Sequence, residues 1–132
     1  MAADLPRRAA WALWLPVVGV MALIFWGSSQ PAEDIPGLFD IPHLDKVAHL
    51  IEYAVLGLAL ARPLGRSLTG GVLLAAVAGI GLVYGVTDEV HQIWVPGRDF
   101  SFIDMAVDLL GALTGAGLWV ALGRWTWLWR WR

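Results

Sequence analysis

The sequence predicts an all-α fold, a polytopic membrane protein built as a four-helix transmembrane bundle with both termini cytoplasmic. Three observations predict it. The 132 residues are 58% hydrophobic and only 15% charged, with a mean hydropathy of +0.65. Soluble domains are about 45–50% apolar and about 25% charged. A chain this short keeps a large surface relative to its volume, so the excess cannot be hidden in a core and lipid is the solvent that fits. Four segments approach the length of about 20 apolar residues that a membrane-spanning helix needs. The cations, finally, are unevenly placed. Arg7, Arg8, Arg62, Arg66, Arg124, Arg130 and Arg132 fall at the N-terminus, the second loop and the C-terminus, and only Lys46 and Arg98 fall at the opposite end. Cytoplasmic segments carry the excess of Lys and Arg, which places the first and third loops outside.

The first span covers about 9–27 in a stretch without charge between Arg8 and Glu33, and Pro16 is expected to kink it. Its apolar run is longer than the core of a signal peptide and lacks a small-residue cleavage site, so it reads as a retained helix. The second span, about 45–61, carries His49 and Glu52. The third, about 68–88, is uncharged until Asp88. The fourth, about 102–122, carries Asp104 and Asp108. Pro31, Pro36, Gly37 and Pro42 make the first loop extended and non-helical, and the third loop holds Trp94 and a Pro96–Gly97 turn. Without repeats or low-complexity linkers, residues 1–132 form a single domain. Gly81 with Gly85, and Gly111 with Gly115, have the spacing that lets membrane helices approach closely, although glycine is common in membrane helices in any case. The tail from Trp125 to Arg132 alternates tryptophan with other residues, which reads as an interfacial anchor rather than a nucleic-acid surface. The absence of cysteine excludes disulfides and thiolate metal sites.

Ionisable groups inside a membrane helix cost about 2.5–3.5 kcal/mol on insertion scales and are a functional hypothesis by default. At 100° per residue Asp45, His49 and Glu52 share one arc of the second helix. Tyr84, Asp88 and His91 share one on the third, and Asp104, Asp108, Gly111 and Gly115 one on the fourth. Glu52 would lie roughly 10 Å below Asp45, and Asp108 roughly 9 Å below Phe102. Stripes at matching depth must face each other rather than lipid, which predicts an outward-open polar pocket. Arg98 on its turn is suited to bidentate binding of phosphate or carboxylate, or to a structural ion pair.

Taken in order, Asp45-Lys46-x-x-His49-x-x-Glu52-Tyr53, Tyr84-x-x-x-Asp88-Glu89-x-His91-Gln92, Pro96-Gly97-Arg98, and Asp104 with Gly111 and Gly115 after it resemble the VanZ-like family. Ser28-Ser29-Gln30 after the first helix resembles its pattern as well. The resemblance covers all four helices. It implies a multi-pass protein of the bacterial inner membrane, related to a namesake linked to resistance to the glycopeptide antibiotic teicoplanin, and it brings no agreed reaction. It also adds Tyr53 and Gln92 to the candidate site. Asp108 departs from the pattern, since the family often has Asn there; its carboxyl would be protonated or paired with Lys46 or Arg98.

On this reading His49, Glu52, Asp88, Glu89 and His91 are the candidate acid–base groups, because a histidine beside a carboxylate supports proton transfer. Asp45, Lys46, Tyr53, Tyr84, Gln92, Arg98, Asp104 and Asp108 are the candidate binding residues. The substrate would be a membrane lipid of the cell envelope or a lipid-linked cell-wall precursor, and the reaction hydrolysis or group transfer. With neither a Ser-His-Asp arrangement nor a phosphate loop, water or a carboxylate would be the nucleophile. No motif calls for a cofactor, and none of the residues is assigned to a metal, although the pairs His49-x-x-Glu52 and Asp88-x-x-His91 would suit a divalent ion such as zinc or manganese. A binding protein without chemistry and a proton-coupled transporter are the alternatives. The second is disfavoured by the lack of polar partners in the inner half of every helix. The oligomeric state is left open.

Overall fold

The computed structural model describes residues 11–35, 37–38 and 40–129, with side chains as far as residue 123. Arg7, Arg8, Arg130, Trp131 and Arg132 lie outside this description, as do Pro36 and the side chains of Arg124, Trp125, Trp127 and Trp129. Four helices follow one another: α1 (Leu15–Ser28), entered through a 3-10 turn at Trp11–Trp14; α2 (Leu44–Leu64); α3 (Gly70–Gln92); and α4 (Phe102–Trp129). No strand occurs among the described residues. The spans Trp11–Ser28, Leu44–Leu64, Gly70–Gln92 and Phe102–Gly123 are all long and apolar enough to cross a membrane.

Three local expectations change. Pro16 stands in the first turn of α1, where its missing N–H would be unsatisfied anyway, so it starts the helix rather than kinking it. The first loop contains a 3-10 turn at Ala32–Asp34. Helix α3 runs four residues past Asp88, to Gln92. Hydropathy falls there, but Asp88, Glu89 and Gln92 are buried in the bundle, and a polar side chain that finds partners inside gives the backbone no reason to stop.

Helices α2 and α4 form the closest pair, and glycine sets their separation. A Cβ on Gly111 would lie 2.6 Å from the Leu50 carbonyl oxygen, and one on Gly57 or Gly115 would collide with the facing backbone at Ala112 or Ala54. Small residues at these positions allow the backbone contact that stabilises helix pairs in lipid. Helix α3 leans on α4 through Gly81, against Ala112, and Gly85, against the Asp108 carboxyl. Helix α1 touches α2 and α3 more lightly. The core of Val17, Ile24, Tyr53, Leu56, Leu60, Leu73, Val77, Ala112 and Ala116 is apolar. Leu15, Val18, Leu23, Trp26, Val72, Val83, Leu110 and Leu118 are exposed on the outside of the helices, as expected of a surface solvated by lipid.

The loops at the polar end are laced together. The Ala32 N–H donates to the Pro96 carbonyl, and Gly97, at φ +75°, brings its backbone against Ala32, where a Cβ would lie 2.9 Å from the Ala32 methyl group. Glycine alone adopts that φ at no steric cost.

Candidate functional site

The polar end of the bundle holds the candidate residues. From α2, His49 turns inward, and its Nδ1 lies 2.8 Å from Asp108 Oδ1 of α4. One proton between them makes this a buried, charge-assisted contact: His49 is 6% exposed and Asp108 0%. Asp108 therefore pairs with His49, not with Lys46 or Arg98. Its carboxyl fits because Gly85 opposite has no side chain; a Cβ there would lie 3.1 Å from Asp108 Oδ2. Tyr53, one helical turn below, stacks its ring parallel to the imidazole at 6.4 Å.

Lys46 ties α2 to α4 nearer the surface, donating to Asp104 Oδ1 at 2.7 Å and to its neighbour Asp45 at 3.0 Å. From α3, Asp88 Oδ2 accepts hydrogen bonds from the Ser28 hydroxyl of α1 at 2.9 Å and from Gln92 Nε2 at 3.2 Å. Glu89 is fully buried, and its Oε2 accepts the Ser101 N–H at 2.7 Å. Ser101 Oγ accepts the Asp104 N–H, so the start of α4 is capped by its own serine and by a carboxylate reaching across from α3, where the helix dipole favours negative charge.

His91 is brought elsewhere. It stacks on Phe25 at 4.5 Å, and its Nε2 lies 3.0 Å from Ser29 Oγ. That hydroxyl donates to the Phe25 carbonyl, so His91 is the donor in the contact. Tyr84 donates to the Met21 carbonyl. Both residues fasten α3 to α1 and line neither of the cavities described next.

A cavity of about 200 Å³ is lined by Gly27, Ser28, Ile35, Leu38, Asp45, Ala48, His49, Glu52 and Arg98. A second, of about 230 Å³, is lined by Asp45, Lys46, His49, Gln92, Gly97, Arg98, Asp99, Ser101 and Asp104. They share Asp45, His49 and Arg98 and so form two arms of one cleft. Arg98 donates from Nε to the Gln30 carbonyl and from Nη2 to the Gly27 carbonyl, both at 3.2 Å. Its partial burial lowers the guanidinium from its usual value against the opposing pull of Asp88, Glu52 and Glu89, yet arginine remains charged. Glu52 lies against Gly27, where a Cβ would be 3.7 Å from its Oε1, and its carboxyl makes no hydrogen bond among the described residues.

Four buried polar atoms have no hydrogen-bond partner among the described residues: Tyr53 OH, Asp88 Oδ1, Glu89 Oε1 and Asp108 Oδ2. Sequence reasoning did not single out Ser28, Ser101, Ile35 and Leu38 as site residues. Ser101-x-x-Asp104 has the form of a helix-capping motif that could have flagged the first turn of α4; nothing in the sequence points Ile35 or Leu38 at the cleft.

Four apolar helices closing on a carboxylate-rich centre with one buried histidine define a small membrane-type protein with a polar site at one end. The sequence profile of the VanZ/LLP1 family matches residues 13–124, and the chain belongs to that family. Comparison with curated proteins and with solved structures returns no match.

Proposed function

We propose that the chain is a hydrolase or transferase of the bacterial inner membrane that acts, from the outer face, on the phosphate-bearing headgroup of an envelope lipid or lipid-linked cell-wall precursor. The observation that carries this reading is the convergence of Arg98, Glu52 and the buried His49–Asp108 pair on one cleft. Arginine matches the geometry of a phosphate oxygen pair. Glu52 faces the cleft without a hydrogen-bond partner among the described residues, as a group that takes a proton from attacking water must. Asp108 holds the imidazole in one orientation, the role a buried carboxylate performs for a reactive histidine.

The size of the cleft also supports the reading. Drug-sized ligands occupy pockets of about 300–1,000 Å³, whereas each arm here is near 200 Å³. That suits a headgroup entering beside Ile35 and Leu38 while its chains stay in lipid. A whole glycopeptide would not fit, so any effect on glycopeptide susceptibility would act through the precursor. The apolar plug of Leu56, Leu60, Leu73 and Val77 below the site argues against a proton path across the membrane.

The test is conversion of headgroups by protein reconstituted in vesicles containing lipids with phosphate mono- and diester heads. Released or exchanged headgroup is expected with the wild type. His49→Ala and Glu52→Gln should stop conversion while lipid still binds, and Arg98→Gln should weaken binding. Binding without conversion by the wild type would leave a recognition protein; neither binding nor conversion would refute the reading.

A further inference from the structure

The cluster of His49, Glu89 and Asp108 contains more than a hydrogen-bonded pair. Each of the three offers one donor atom, and these atoms all lie within 4.8 Å of one another although they come from three helices. All three residues are buried, with Glu89 and Asp108 at 0% exposure. Two carboxylate oxygens in this group, Glu89 Oε1 and Asp108 Oδ2, have no hydrogen-bond partner among the described residues. A buried carboxylate oxygen without a donor is costly and calls for an explanation.

We propose that His49, Glu89 and Asp108 bind one divalent transition-metal ion. The geometry is close to that of a ligand set. Zinc bonds to nitrogen and oxygen at about 2.0–2.2 Å in a tetrahedron, so any two of its ligands sit about 3.4 Å apart. The 2.8 Å between His49 Nδ1 and Asp108 Oδ1 and the 4.8 Å limit on the whole set bracket that spacing, so small side-chain rotations would seat the ion. The donor set selects the ion: one imidazole with two carboxylates suits zinc or manganese and disfavours magnesium and calcium, which prefer oxygen alone. Three protein ligands also leave a coordination position open, the arrangement of reactive rather than structural zinc sites.

Charge points the same way. The polar end gathers the carboxylates of Asp45, Glu52, Asp88, Glu89, Asp104 and Asp108 around two permanent cations, Lys46 and Arg98, and the imidazole of His49. Lys46 is committed to Asp45 and Asp104. A dication on Glu89 and Asp108 would neutralise the two carboxylates that lie deepest and have unpartnered oxygens. Glu89 is also held in place from outside the cluster. The Ser101 N–H orients Glu89 through Oε2, and such outer contacts fix ligands in place. This set differs from the His49–Glu52 and Asp88–His91 pairs that helical spacing brings to mind, because the ligands are chosen by contact across helices.

The proposal rests on the reading above for what the ion would act on; an ion bound by His49 and Asp108 would take the place of the hydrogen bond between them and hold the imidazole in the same orientation. The test uses the full chain purified in detergent, stripped with chelator and titrated with Zn²⁺ or Mn²⁺ alone. Metal analysis after dialysis should find one ion per chain. His49→Ala, Glu89→Gln and Asp108→Asn should each weaken binding at least tenfold, whereas Glu33→Gln and Asp40→Asn, in exposed acids of the first loop, should leave it unchanged. Should the buried variants fail to fold, pulsed electron resonance of Mn²⁺ on the wild type should show one coupled imidazole nitrogen. A wild type that retains no stoichiometric ion, a Mn²⁺ signal without nitrogen coupling, or affinity unchanged in His49→Ala and Glu89→Gln would each overturn the site. Arg98→Gln should keep the ion while losing the headgroup, so failure of the proposed activity with metal retained would refute the function and not the site.

Discussion

The spacing of α2 and α4 fixes the His49–Asp108 contact, and Gly111→Ala tests that dependence. The added Cβ would begin 2.6 Å from the Leu50 carbonyl oxygen, where ordinary contact starts at 3.4 Å. The two backbones must therefore separate by about 0.8 Å, the difference of those distances, since neither a helical carbonyl nor a Cβ can rotate away. Gly111 is one turn from Asp108. The same displacement there stretches His49 Nδ1–Asp108 Oδ1 from 2.8 Å to about 3.6 Å, at which a hydrogen bond no longer exists. Overpacking costs about 1–3 kcal/mol and losing a hydrogen bond to a charged group about 1.5–3 kcal/mol, so a loss of about 2.5–6 kcal/mol is expected. Equilibrium unfolding in mixed micelles measures it, with Gly117→Ala as the control, since a Cβ there meets nothing within 4 Å. A loss below about 1 kcal/mol in Gly111→Ala, with the histidine NMR shifts of the wild type, would refute the claim that glycine contacts hold the pair.

Other consequences are simpler to measure. Ser28→Ala removes the hydroxyl that donates to Asp88 Oδ2 and should cost about 1 kcal/mol in the same unfolding assay. Lys46→Met leaves the buried Asp104 without its cross-helix partner and should cost about 1–3 kcal/mol, a loss recovered when Asp104→Asn is added. Arg98→Lys keeps the charge but cannot reach both the Gln30 and Gly27 carbonyls with a planar fork; limited proteolysis should then cut the first loop faster.

The four spans were legible in the sequence because lipid imposes one demand, about 20 apolar residues with every backbone group satisfied inside the helix. The gathering of acids and His49 at one end was legible too, since helical spacing alone puts Asp45, His49 and Glu52 on one face. What spacing does not carry is which side chain meets which across helices. Asp108 shares an arc with Asp104, yet one meets His49 and the other Lys46, because Gly85 leaves room for the deeper carboxyl. His91 sits three residues from Asp88, yet Phe25 and Ser29 draw it to α1. Glu89, off the arc of Asp88 and His91, ends fully buried against Ser101 because the first turn of α4 offers it an unpaired N–H. These outcomes follow from helix rotation and approach, which depend on glycine contacts between segments 23 to 61 residues apart in the chain.

A cleft open to water at one face and closed by apolar packing below is reached from one side of the membrane only. The chain has no cysteine, so a single one can report on this. Ala48→Cys lines the cleft, and Val77→Cys sits in the buried core. With a membrane-impermeant thiol reagent applied to sealed vesicles of known orientation, Ala48→Cys should react from the external face alone, more slowly with a phosphate-headed lipid present, and Val77→Cys should stay unreacted from either side. Reaction of Ala48→Cys from the cytoplasmic face, or of Val77→Cys as fast as Ala48→Cys, would contradict it.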